Sequence, residues 1–129
     1  MGLNLDAYLG IHAKSLTLRD QRATQIAQNI ANVNTPNYKA RDIDFHQALE
    51  QAIGTQGHLS TDNPRQMQAE GEFSNTFKYR TPIHTTLDGN TVDKDIETTE
   101  FAKNSVGYQA SLTFLNGKIR SMMSALRGD

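Results

Sequence analysis

The sequence predicts a mainly α chain. Long N- and C-terminal helices pair as an antiparallel coiled coil, and an irregular middle contains a short β-hairpin. Three observations carry this prediction. Apolar residues near the N-terminus step by four and three, residues near the C-terminus do the same, and the stretch between is rich in turn formers.

At the N-terminal end, Leu5, Leu9, His12, Leu16, Arg19, Ala23, Ile26, Ile30 and Val33 follow the a and d positions of a heptad. The spacing predicts a helix over residues 3–33. Arg19 and His12 interrupt the stripe. Either they snorkel at its edge or they meet polar partners on a neighbouring chain.

The stretch NIANVNTPNY, residues 29–38, stops that helix. Asn34 can take the left-handed conformation that ends helices. Thr35 is pushed out of the helical region by the proline that follows, and Pro36 cannot continue the helix. Pro36 and Asn37 suit the centre of a turn in which Asn37 has positive φ. Tyr38 then offers an aromatic face to pack the chain back on the helix. Asn29 and Asn32 lie inside the helix, where asparagine is a poor former, so their amides bind either the turn or a neighbouring subunit. An ordinary helix stop with incidental amides is equally compatible with the local physics.

The next stretch, ARDIDFHQALE, reads as a turn into a short amphipathic segment with Ile43 and Phe45 packing inward. Residues 54–66 are rich in turn formers and read as loop. Phe73, Phe77 and Tyr79 alternate with polar neighbours before Pro82 breaks the run, which suggests one or two short strands. Asp88-Gly89-Asn90 is a turn signal.

At the C-terminal end, Phe101, Ser105, Tyr108, Leu112, Leu115, Ile119, Met122 and Leu126 again step by four and three. Val106, Ala110, Phe114 and Met123 add a second apolar strip, which suggests burial against more than one neighbour. Acidic residues precede this segment and basic ones close it, as the helix dipole favours. The helix is expected over residues 94–127.

Composition bounds the function. The chain has 129 residues with 36% hydrophobic and 7% aromatic content, a small supply for a self-sufficient core. The formal net charge of −1 gives no field that points to nucleic acid. The absence of cysteine excludes disulfides and thiol nucleophiles. Asn4 and Asp6 interrupt the N-terminal apolar residues, so no cleavable signal is expected.

No catalytic constellation is visible. HExxH, a nucleophile elbow and a phosphate-cradling glycine loop are all missing. His46 and Glu50 would share a helical face, but they are two ligands without a third. No metal, cofactor or small-molecule substrate is expected.

NIANVNTPNYKARDIDF, residues 29–45, resembles the NIAN-x-x-T-P-G-Y signature of bacterial flagellar rod and hook axial proteins. LDGNTVDKD (87–95) and FAKNSVGYQASLTFLNGKIRSMMSALRG (101–128) are similar to that family too, and to its rod members in particular. Asn37 stands where the family usually has glycine, and Lys94-Asp95-Ile96 departs from the usual hydrophobic residue after VD. The resemblance covers both ends and little of the stretch from about residue 53 to 86.

The resemblance implies one axial domain formed by residues 1–40 and 93–129, with 41–92 as a middle insert of loops and short strands. It implies a structural subunit of the flagellar basal body rod that forms a helical tube. That tube joins the membrane-embedded ring to the distal rod in the periplasm and transmits torque. The implied partners are further copies of the chain, other rod proteins, the rod adaptor and membrane ring protein, and the flagellar type III export apparatus. Export would need no cleaved signal peptide. The signature turn is then Asn29, Asn32, Asn34, Thr35, Pro36 and Tyr38. The assembly surfaces are Leu9, Leu16, Ile26 and Ile30 on the first helix, and Tyr108, Leu112, Phe114, Leu115, Ile119 and Leu126 on the last. Arg41, Asp42 and Asp44 are candidates for docking between subunits. The competing reading is a soluble coiled-coil adaptor or export chaperone, in which the same seams close within one chain.

Overall fold

A computed structural model describes residues 5–54 and 77–128. The loop expected at 55–66, with His58, and Phe73 lie outside the described residues. Five elements follow in order: α1 (Leu5–Ala31), β1 (Arg41–Ile43), α2 (Phe45–Gly54), β2 (Phe77–Tyr79) and α3 (Lys94–Arg127). The two long helices pack together, as the sequence predicts.

Their pairing is antiparallel. Ser15 Oγ lies 3.5 Å from Ser111 Oγ, Asn104 donates to the Arg19 carbonyl at 2.8 Å, and Arg22 meets Glu100 at 2.8 Å. As the number falls on one helix it rises on the other. The stripe of α3 that meets α1 is displaced from the expected apolar one. Glu97 and Asn104 are buried and Ser111 half-buried, whereas Phe101, Tyr108, Ile119 and Leu126 stay exposed. Glu97, Asn104 and Ser111 also recur every seventh residue, so the period alone does not choose between neighbouring stripes. The polar one turns inward because each of these side chains finds a hydrogen-bond partner across the contact.

Both ends of α3 are closed by local chemistry. The Asp93 side chain accepts from the backbone N–H groups of Asp95 and Ile96 at 3.0 and 3.3 Å, which satisfies two orphan donors of the first turn. Gly128 takes φ 77° and its N–H donates to the Ser124 carbonyl, the usual left-handed stop.

The middle adds a second layer against α1. In α2, Phe45, Ala48, Leu49 and Ala52 recur at helical spacing. Asp44 starts this helix by accepting from the Gln47 N–H at 3.2 Å, and Lys14 closes it by donating to the Ala52 carbonyl at 3.0 Å. The core is Leu18, Ile43 and Ala48, with Phe45 and Leu49 packed against it. The small alanines let α2 lie close to α1. The strands pair antiparallel, with Arg41 opposite Tyr79 and Ile43 opposite Phe77. The partner of β2 is therefore the distant RDI segment, and α2 lies on the connection between the two strands.

At about 100° per residue, Leu16 and Leu9 lie about 160° and 180° from Leu18 on the α1 wheel. Leu18 packs toward α2, so Leu9 and Leu16 face the opposite flank. Because the helices run antiparallel, Phe101, Leu112 and Ile119 fall on the same flank of the pair. None of these five is fully buried. Among the described residues, the helical hairpin thus has one flank covered by α2 and a second, apolar flank that no other element covers.

Candidate functional site

The end of α1 is tied to the approach to α3 by two sequence stretches, residues 29–41 and 86–92. The last turn of α1 tightens, with the Asn32 N–H shared between the carbonyls of Gln28 and Asn29 at 3.1 Å each. Asn34 does not adopt the left-handed conformation expected of it; Asn37 alone among the described non-glycine residues has positive φ, 60°. The Asn32 and Val33 N–H groups take the last carbonyls of the helix, and Asn90 holds the turn that follows. Its Nδ2 lies 2.9, 2.9 and 2.8 Å from the carbonyl oxygens of Asn32, Val33 and Thr35. These carbonyls belong to the turn that follows α1, and Asn90 is buried over them.

The rest of the clasp is backbone pairing. The Asn37 N–H donates to the Asp88 carbonyl at 2.9 Å, and the Thr91 N–H to the Tyr38 carbonyl at 3.0 Å. The Ala40 N–H donates to the Thr91 hydroxyl at 2.8 Å. Gly89 has φ 80°, a conformation that favours glycine, and a Cβ there would also stand 3.0 Å from Asn37 Oδ1.

Asn29 is the hub beneath this clasp, fully buried on α1. Its Nδ2 donates to the Arg41 carbonyl at 2.7 Å and to Glu97 Oε2 at 3.1 Å. Its Oδ1 accepts from Gln25 Nε2 and Tyr38 Oη at 3.2 Å each, and from the Arg41 N–H at 3.3 Å. The amide that is a poor helix former is kept because it joins α1, β1 and α3 at one point. Asn32 and Thr35 close their own loop, with Thr35 Oγ1 donating to Asn32 Oδ1 at 3.0 Å. Asn34 and Pro36 are exposed.

A charged network continues from that hub. Arg22 grips Asp42 with Nε and Nη2, both at 2.9 Å, and reaches Glu100 at 2.8 Å. Arg80 donates to Asp42 at 2.7 Å and also pairs with Glu97. Burial pushes the Asp42 carboxyl up, but the hydrogen bonds from Arg22 and Arg80 outweigh it and hold the group below its ordinary value. Glu97 goes the other way: burial raises it above the usual glutamate range against the pull of Asn29 and Arg80. Arg22 is held firmly protonated, chiefly by its hydrogen bond to Asp42.

Further along the hairpin, Arg19 finds its partners inside the chain. Its Nε donates to Ser111 Oγ at 3.3 Å and its guanidinium stacks 4.2 Å from the Phe45 ring centroid. Gly107 makes this possible, since a Cβ there would collide with the guanidinium.

The sequence-derived candidates are placed as follows. Ile26 is buried, and Leu9, Leu16, Ile30, Leu112 and Leu115 are half-buried. Tyr108, Phe114, Ile119 and Leu126 are exposed, Phe114 at 65% and Leu126 at 84%. Of the trio Arg41, Asp42 and Asp44, Asp42 is engaged within the chain by Arg22 and Arg80. Asp44 caps α2 and lies 3.5 Å from Lys78 Nζ. Arg41 remains on the surface. Sequence reasoning did not find Arg22, Arg80, Glu97, Glu100 or Asn90. The available signal was polar side chains at helix positions flanking the apolar stripes, and an asparagine following a turn glycine. Among the described residues, no helix is long and apolar enough to cross a membrane, and no three potential ligands gather as a metal site.

The fold and its clasp define a helical-hairpin packing protein whose two ends are locked together by polar side chains. No family model matches the chain. Curated relatives do, over nearly their whole length. The chain is 43% identical to the flagellar basal body rod protein FlgB of Aeromonas hydrophila, covering 100% of this chain and 99% of the relative. It is 45% identical to FlgB of Cereibacter sphaeroides strain ATCC 17029, with 94% of each chain covered. It is 42% identical to FlgB of Escherichia coli K12, with 95% of each covered. The chain belongs to the FlgB family of flagellar basal body rod proteins.

Proposed function

We propose that this chain is a structural component of the flagellar basal body rod and that its copies pack side by side into a helical tube. The observation that carries the reading is the apolar flank shared by α1 and α3, which no other element covers among the described residues. Leu9, Leu16 and Ile30 lie there with Phe101, Leu112 and Ile119, and Phe114 adds an exposed strip on the other side of α3. Two apolar strips on one hairpin favour contacts with two neighbours. A heterologous contact that does not close on itself generates a filament.

The polar bonds between α1 and α3 support the same reading. The seam carries Ser15, Arg19, Arg22, Asn104 and Ser111 beside the buried Ile26, and neighbours that cover the outer flank would add apolar burial to it. Residues 1–40 and 93–129 then act as one axial domain, with 41–92 as the insert. Export through the flagellar type III apparatus, contact with the rod adaptor and ring below and with further rod proteins above, and transmission of torque all follow from a place in the rod.

The test is isolation of basal bodies from cells whose only copy carries Ile119→Asp or Phe114→Ser. The expected result is a purified monomer with unchanged circular dichroism and basal bodies that lack the rod. Normal rods with either variant would overturn the side-by-side packing.

A further inference from the structure

Among the described residues, the two-stranded sheet has one closed edge and one open edge. The Arg80 N–H donates to the Ala40 carbonyl at 3.0 Å, and pairing continues through Arg41–Tyr79, Asp42–Lys78 and Ile43–Phe77. Hydrogen-bonded pairs alternate along an antiparallel ladder, so Arg41 and Tyr79 turn their backbone groups away from each other. Those of Arg41 are taken by the Asn29 amide. Those of Tyr79 face outward and have no partner among the described residues.

Charge lies along this open edge. Arg41 carries its guanidinium across the Tyr79 ring, 5.0 Å from the centroid, and donates to the Tyr79 hydroxyl at 3.0 Å. Its charge therefore sits over the outer strand. Lys39, Tyr79, Arg80, Pro82, Thr85 and Thr91 line an open groove of about 320 Å³ beside the strand. Neither Lys39 nor Arg41 meets a carboxylate among the described residues. Phe77 and Tyr79 are 41% and 66% exposed, so apolar surface and cationic charge share one edge.

We propose that the open edge of β2 receives an extended acidic segment of another polypeptide by strand addition. Its backbone pairs with Tyr79, its carboxylates meet Arg41 and Lys39, and an apolar side chain enters the groove beside Pro82. Main-chain bonds give such a contact its affinity, and the side chains give it selectivity. The opposing view is that the cations serve only to repel pairing at a free edge, and it makes the opposite prediction. The proposal stands apart from rod packing, which uses the flank of α1 and α3.

The experiment uses the full chain, isotope-labelled for amide NMR, with a short capped peptide alternating Val and Glu as probe. The expected result is saturable binding that shifts Tyr79 and slows exchange of its amide. Arg41→Glu, at an exposed side chain, leaves the dispersion of the spectrum intact and weakens binding about tenfold, as loss of one oriented charge contact predicts. Absence of binding overturns the proposal. So does equal binding of a Val/Lys peptide, or equal binding of a backbone N-methylated Val/Glu peptide, which would reduce the contact to charge alone.

Discussion

The side chain of Asn29 pairs with the backbone of Arg41 as a neighbouring strand would, donating to its carbonyl at 2.7 Å and accepting from its N–H at 3.3 Å. This one amide seals the inner edge of the sheet and holds it to α1. Asn29→Ala leaves both Arg41 groups and one oxygen of Glu97 unpaired in a buried place. Each such loss costs about 1–3 kcal/mol, so a total of about 3–5 kcal/mol is expected. Urea unfolding of the monomer measures it, and a loss below about 1 kcal/mol would remove Asn29 from the centre of the clasp.

Asp42 gives the clasp a defined response to acid. Its folded value lies below the ordinary 3.8. Its contribution is therefore complete above that value and is lost as pH falls through the depressed one. Glu97, raised on folding, works in the opposite sense: the stability linked to its proton is present at low pH and fades as pH rises through its elevated value. Asp42→Asn is expected to lower stability by about 2–3 kcal/mol at neutral pH. The gap to the unmodified chain narrows below pH 3.8. Denaturation midpoints across that range test the sign, and a gap that widens in acid contradicts it.

Gly107 and Arg19 form a second coupled pair. Gly107→Ala places a methyl against the guanidinium; the flexible end of Arg19 shifts and gives up Ser111 and Phe45, so a loss of up to about 1 kcal/mol is expected against the better helix propensity of alanine. Adding Arg19→Ala should return much of that loss, because the collision disappears. A double-mutant cycle with no coupling would show that the helices do not cross at this point.

Leu18 and Leu16 separate the two flanks of α1. Leu18 is fully buried, and Leu18→Ala is expected to cost about 2–5 kcal/mol of monomer stability. Leu16→Ala, on the uncovered flank, should cost the monomer about 1 kcal/mol or less while impairing rod formation. Equal losses for the two in the isolated chain would mean that the outer flank is already packed.

The two long helices and the turn after the first were legible in the sequence because those features are local, whereas the left-handed Asn34 expected at the end of α1 is not found. Apolar spacing sets α1 and α3, the charges near its two ends bound α3, and Pro36 with Asn37 makes the turn. Inward packing of Ile43 and Phe45 was legible for the same reason. Which stripe of each helix turns inward was decided only by the tertiary structure. Two neighbouring stripes of α3 share one period, and the choice rests on partners far away in the chain: Asn104 on Arg19, Glu100 on Arg22, Glu97 on Asn29. The same holds for Asn90 over the end of α1, for Asp42 between two arginines and for the pairing of β1 with β2. A buried polar group is stable only where donors and acceptors from separate segments converge, and that convergence is a property of the folded chain.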